Sequence, residues 1–138
     1  MWDRVTKGVA ACAGAAMGLW CALPAAVQTL AVFMAADYAT GLICAWRGVS
    51  QKSERGTLSS KAGFDGLLRK GMMALVVLIA WQLDRALSSN ALHNAAVCFY
   101  IANEGISILE NTALLGVPWP KRLREALDVI GERGEGEA

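Results

Sequence analysis

From Gly8 to Ala36 no charged residue interrupts the chain. That run of 29 residues exceeds one ordinary transmembrane span of about 20 residues and is broken by Pro24. The pattern predicts a helical hairpin, with one helix over 4–23, a tight turn at Pro24 and a second helix over 25–46. The next charge-free stretch, Gly71 to Leu83, reaches spanning length only if Gly66 to Lys70 are included, with Arg69 and Lys70 snorkelling toward the surface. This predicts a third helix over 63–84. Asp84, Arg85, Ser88, Ser89 and Asn90 then predict a short turn, and a fourth helix runs over 92–116 until Gly116, Pro118 and Pro120 stop it. Trp119 is placed like an interfacial anchor. Beyond it, Leu123, Leu127 and Ile130 share one face of a short amphipathic segment expected to lie on a membrane surface or dock against another subunit. The last eight residues, rich in Gly and Glu, are expected to be disordered.

The fourth helix carries polar residues inside an apolar run. At 100° per residue, Asn103, Glu104, Ser107, Glu110 and Asn111 fall within an arc of about 120°. His93 and Tyr100 project onto the same arc, and Val97, Ile101, Ile108, Leu109 and Leu115 lie opposite. Each carboxylate near a bilayer centre costs roughly 2.5 to 3.5 kcal/mol, whereas each Leu, Ile, Val or Phe returns about 0.3 to 0.6. The nine strongly apolar residues between Leu92 and Leu115 barely offset two ionised glutamates. Such a helix needs partner helices, protonated acids or a water-filled space along its stripe.

Composition sharpens this picture. Of 138 residues, 55% are hydrophobic and only 18% charged, with a mean hydropathy of +0.38, which predicts one domain of an all-α membrane protein. The expected architecture is a bundle of about four transmembrane helices, with three as the lower reading, over residues 1–118, followed by a cytoplasmic segment over 119–138. Gly14 and Gly18 form a G-x-x-x-G pair that permits close helix packing, and Gly41 is a further small position on the second helix. Cys12, Cys21, Cys44 and Cys98 sit singly in apolar runs and read as small buried hydrophobes, with no metal site or disulfide framework expected. Arg4 and Lys7 before an apolar run resemble a signal peptide, but the apolar sequence continues past any cleavage point.

Charge placement sets the expected topology. The stretch 47–62 is a basic hydrophilic loop, in which Gly and Ser mark turns and Ser60 is a candidate N-cap. If both termini share its side, 12 of the 13 Lys and Arg lie there and only Arg85 opposes them. The positive-inside rule then makes that side cytoplasmic. Asp37, followed by Tyr38 and Thr40, and Glu104 both fall near mid-bilayer, since helices two and four run the same way. Intramembrane acids are functional-site candidates, or polar knots that hold a bundle together. Were the two close, their like charges would repel.

Several segments match a known pattern. Asp37-Tyr-Ala-Thr-Gly41, Leu58-Ser-Ser-Lys-Ala-Gly63 through Gly66-Leu-Leu-Arg-Lys70, and Tyr100-Ile-Ala-Asn-Glu-Gly-Ile-Ser-Ile-Leu-Glu-Asn111 followed by Gly116-Val-Pro-Trp-Pro120 resemble the bacteriophage holins of the toxin-secretion and phage-lysis type. That family includes holin-like proteins encoded beside clostridial toxins. The resemblance extends from about Leu30 to Leu127 and is weakest over the first helix. It implies a multi-pass protein of the bacterial cytoplasmic membrane, without enzymatic activity or cofactor. Such proteins form homo-oligomers in the lipid bilayer and open pores through which an endolysin, their functional partner, causes host cell lysis at a set time. By similarity, Asp37, Glu104, Ser107, Glu110 and Asn111 are polar intramembrane positions, joined by Asn103 from the polar arc, and Ser60, Lys61, Gly63, Gly66 and Lys70 form a cytoplasmic loop motif.

Other classes fit the residues less well. No Ser-His-acid set forms except around His93, and no phosphate-binding glycine loop or metal constellation is present in the sequence, so an enzyme is not expected. A nucleic-acid partner is not expected either, since the basic loop holds only one aromatic, Phe64. The rivals are a small proton or ion channel or transporter relaying through Asp37 and Glu104, and an antiholin-type inhibitory membrane partner. A crowding mechanism suits the holin reading, in which polar seams buried in sparse subunits come to face a shared aqueous space.

Overall fold

The computed structural model describes residues 1–52 and 59–136, which form five α-helices. They are α1 (Trp2–Ala22), α2 (Ala25–Trp46), α3 (Ser60–Leu87), α4 (Ala91–Leu114) and α5 (Lys121–Gly136). Three of them bury residues at alternating spacings of three and four or at multiples of seven. α2 buries Leu30, Asp37 and Cys44; α3 buries Lys70, Met73, Val77, Ala80 and Asp84; α4 buries Val97, Ile101, Glu104, Ile108 and Asn111 along one line. An average spacing of 3.5 keeps one seam of each helix turned toward its neighbours. Leu30, Val77, Val97 and Ile101 form the apolar layer of that seam.

These pairings set the helix directions. Leu30 lies with Val97 and Ile101, while Cys44 reaches Asn111, so α2 and α4 run parallel. Lys70 reaches Glu104 and Asp84 reaches His93, so α3 is antiparallel to both. The helix α4 is thus level with α2 and α3 over nearly its whole length. It also buries the most residues, eight against five on α3 and three on α2, which makes it the inner helix.

The outward faces are apolar. Val32, Leu42 and Ile43 on α2, and Leu67, Leu68, Leu75, Val76, Leu78 and Ile79 on α3, are exposed. Such a belt suits lipid better than water. Helices α1, α2 and α3 are long and apolar enough to cross a membrane, as expected of an all-α membrane protein. By the same measure α4 is not among them, because its polar residues lower its hydropathy; part of that polar set is turned inward. No residue of α1 is buried, and nothing lies within 4 Å of a β carbon placed at Gly14 or Gly18. Contrary to the expectation of buried cysteines, Cys12 and Cys21 on α1 are exposed, and only Cys44 is buried.

Helix limits depart from expectation where flanking residues are locally ambiguous. The first helix begins at Trp2, and the third extends from Ser60 to Leu87 rather than over 63–84. Its N-cap is Ser59 rather than Ser60, without a side-chain capping bond. The motif Ser60, Lys61, Gly63, Gly66 and Lys70 accordingly lies in the first turns of α3, not in a loop. Part of the loop expected over 47–62, with Glu54, Arg55 and Leu58, falls outside the described residues, as do Glu137 and Ala138.

Asp84, expected in a turn, is helical and caps the next helix. Its carboxylate accepts the backbone N–H of Leu92 at 3.2 Å and of His93 at 2.7 Å, satisfying two of the free donors at the start of α4. Ser88, at φ 53°, turns the chain between the two helices. Asp84 is only 2% exposed, so Asp84→Ala is expected to lower stability by roughly 1 to 2 kcal/mol, and Asp84→Asn by less, since an amide oxygen still accepts one bond. Thermal unfolding of the detergent-solubilised protein measures this. An Asp84→Ala protein as stable as the parent would show that the capping is energetically idle.

At the far end of α4, Gly116 takes φ 79°, and the N–H of Val117 donates to Thr112 O at 2.9 Å, a closure that favours glycine. Trp119 Nε1 donates to Thr112 Oγ1 at 2.8 Å, so this indole braces the elbow into α5. The amphipathic segment then packs on α4 of its own chain, rather than on a membrane surface or another subunit. Leu127 sits on Gly105, Gly131 on Ala102 and Gly134 on the backbone of Phe99, so α5 runs antiparallel to α4. Gly131 and Gly134 allow this approach, and the helix continues to Gly136 through residues expected to be disordered. Its end points toward the α3–α4 turn, opposite the basic-loop end where the charge pattern placed the C terminus.

Candidate functional site

One layer of the seam is ionic. Lys70, 9% exposed, extends from α3 between two buried carboxylates, Asp37 at 7% and Glu104 at 2%. Its Nζ donates to Asp37 Oδ2 at 2.8 Å and to Glu104 Oε2. From the segment after α2, Lys52 Nζ reaches the other oxygen, Asp37 Oδ1, at 3.0 Å. The side chain of Lys52 is 39% exposed, so solvent screens this contact and it contributes less than the Lys70 bonds. Among the described residues, two carboxylates and two ammonium groups make the cluster neutral. The repulsion foreseen between Asp37 and Glu104 is therefore relieved by the cation between them, and it is a buried ammonium that lets both acids share one layer.

Asn111, one layer toward the elbow, completes the arrangement. Its Nδ2 donates to Asp37 Oδ1 at 3.1 Å and to Thr40 Oγ1 at 3.1 Å. Cys44 Sγ lies 3.3 Å from Asn111 O, as a thiol donor would. Gly41 lies against the amide, where a β carbon would make ordinary contact with Asn111 Nδ2 at 3.8 Å. Tyr38 lies across α3 at Gly63 and Gly66, whose β carbons would stand 3.6 Å and 3.7 Å from its side chain. The glycines of the expected loop motif thus seat an aromatic ring, and the lysine of that motif is the counter-ion.

The polar arc of α4 is divided. Glu104 and Asn111, at about 100° and 80° from Asn103, face α2 and α3 beside Val97, Ile101 and Ile108, which were expected opposite the stripe, whereas Asn103 and Glu110, at about 0° and −20°, point outward. The burial pattern agrees: Asn103 and Glu110 are exposed and Ser107 is half-buried. Of the six polar intramembrane candidates, Asp37, Glu104 and Asn111 come together and the other three do not. Ser60 and Lys61 are exposed, away from the cluster. The contributions of Lys52, Thr40 and Cys44, and the position of Lys70 between the acids, were missed by reading the chain alone. A charge count held the signal, since two acids at bilayer depth require cations, and Lys70 is the basic residue nearest the apolar core of its helix.

The cluster has no nucleophile aligned with a base. What it can do is hold three helices together through ionic and hydrogen bonds that a low-dielectric surrounding strengthens.

Comparison with known proteins identifies its relatives. The chain is 43% identical over 109 residues to an uncharacterized protein of Clostridium perfringens (strain 13 / Type A), covering 78% of this chain and 76% of that one. It is 37% identical over 113 residues to an uncharacterized protein of Listeria monocytogenes, covering 80% and 76%. Similarity to a protein named "Probable holin" from Bacillus phage phi105 reaches 40% over 95 residues, covering 68% and 65%. No solved structure matches. Residues 14–132 match the bacteriophage holin family, a span that takes in α2 to α4, the ionic layer and most of α5, and the chain therefore belongs to that family.

Proposed function

We propose that this protein is a holin, which accumulates in the cytoplasmic membrane of a bacterial host, assembles with copies of itself and opens holes that let an endolysin reach the cell wall at a set time. The observation that carries the reading is the similarity to the probable holin of phage phi105, within a family match that covers most of the chain. The apolar outer faces of α1, α2 and α3 support residence in a bilayer. A neutral ionic layer supports accumulation without early leakage, because each charge has a partner inside the subunit rather than in water. The basic segment between α2 and α3 supports a cytoplasmic location for that loop and for the N terminus.

Controlled expression in a bacterium, with and without an endolysin lacking any export signal, tests this. Abrupt lysis after a delay, dependent on the endolysin and coincident with loss of membrane potential, is the expected result. Gradual depolarisation without endolysin-dependent lysis would replace the holin by an ion channel. No effect would indicate an inhibitory partner of another holin.

A further inference from the structure

The position of α5 conflicts with a lipid-facing subunit. Its inner face is fastened along α4, with Leu127 on Gly105 and Gly134 against the Phe99 backbone. Since α4 is level with α2 and α3, both long and apolar enough to span, the second half of α5 lies at bilayer depth. Its outer face there carries Asp128, Glu132, Arg133 and Glu135 around a single exposed apolar residue, Val129. Ionised side chains at that depth are not tolerated against acyl chains. On the strip of α4 covered by neither α5 nor the α2–α3 pair, Asn103 and Glu110 are exposed too, with Ile106 and Leu114 beside them. The subunit therefore has an apolar side made of α2 and α3 and a polar side made of α5 with part of α4.

We propose that the outer face of α5, kept on α4, forms the water-facing wall of the hole that assembled subunits enclose. The inference rests on the holin reading and names its lining. It replaces the buried part of the α4 stripe, which is engaged with Lys70 and Asp37, as the surface that meets water. Assembly in this geometry turns α2 and α3 outward to lipid and brings α5 of each copy to a common interior, where its charges are hydrated. The N-terminal half of the helix is rich in Lys and Arg and the C-terminal half is mostly acidic, so the wall is amphoteric rather than selective for one sign of ion.

A reversible lock tests it. A β carbon at Gly131 would lie 3.3 Å from that of Ala102, near the separation of about 3.8 Å that a disulfide requires. In a chain with Cys12, Cys21 and Cys98 replaced by Ala, the pair Ala102→Cys and Gly131→Cys clamps α5 to α4 on oxidation. Purified protein is reconstituted in vesicles of bacterial lipid loaded with a fluorescent dextran, and release is compared before and after reduction. The expected result is equal release from the locked and reduced forms. In parallel, a nitroxide attached in the Glu132→Cys variant is expected to be accessible to a water-soluble paramagnetic reagent, and one in Ile79→Cys to dissolved oxygen in the lipid. Release lost on oxidation and regained on reduction would overturn the proposal, because α5 would have to leave α4. A lipid-exposed label at Glu132→Cys would overturn it as well. Absence of release from the reduced and parent proteins alike would remove the hole-forming reading and the lining with it.

Discussion

Lys70→Met is expected to destabilise the folded protein by roughly 3 to 5 kcal/mol, the range for removing one partner from a buried ionic cluster. Among the described residues, the variant leaves the Glu104 carboxylate, 2% exposed, without its cation, while Asp37 keeps the partly exposed Lys52 and the Asn111 amide. Desolvation that the Lys70 ammonium now offsets would be left uncompensated. The effect therefore has a built-in control: adding Glu104→Gln to Lys70→Met removes the orphaned charge and should restore much of the stability. Neither substitution alone isolates the pair, but the two single variants and the double variant close a cycle that does. Thermal unfolding in detergent supplies the stabilities, and the onset of lysis in cells supplies the functional counterpart, which should be strongly altered in Lys70→Met and closer to the parent in the double variant. An unchanged unfolding temperature for Lys70→Met would mean that the ion cluster contributes nothing to the fold.

Gly134→Val is expected to be the second most damaging change. A β carbon at Gly134 would stand 2.7 Å from Phe99 N, 2.9 Å from Phe99 Cα and 3.1 Å from Ala95 O. All three are backbone atoms of α4, so no side-chain rotation relieves the clash and the end of α5 must move away. Overpacking costs typically about 1 to 3 kcal/mol, and immovable partners place this case at the upper end until the last turns of α5 peel off. Gly105→Ala is the instructive contrast. Its β carbon would meet Leu127 Cδ2 at 2.5 Å and Cδ1 at 2.8 Å, but these are the free ends of a flexible side chain that can swing aside. Hydrogen exchange of the α5 amides separates the two: rapid exchange beyond Ile130 in Gly134→Val, and near-parental protection in Gly105→Ala. Equal protection in both variants would contradict the tight docking of α5.

Much of the fold was legible because helix signals are local. The charge-free run broken by Pro24 located the first two helices to within two residues at each end, and Gly116 with Pro118 and Pro120 located the end of the fourth to within the same margin. The start of α3 was not legible in the same way. Ser60 is a candidate N-cap, but the glycines that follow, Gly63 and Gly66, weaken the local helix signal, and they lie against Tyr38 on another helix. A similar cause explains α5, where three glycines in the last six residues of the helix suggested disorder. One of them, Gly134, is where the α4 backbone comes too close for a side chain, and at Gly131 a β carbon would stand 3.3 Å from that of Ala102.

The sequence by itself determined that this is an all-helical membrane protein, and that Asp37 and Glu104 are carboxylates inside apolar runs, which need help. Only the tertiary structure decided what that help is. Lys70 lies 33 residues from one acid and 34 from the other, and three helices must pack before a single ammonium can reach both. It also decided the division of the α4 stripe, since the roughly 100° that separate Glu104 from Asn103 mean burial or exposure only once neighbouring helices occupy one side. Helical periodicity is written into short stretches of chain, whereas the pairing of charges depends on distances between residues remote in sequence and on which of them are removed from water together.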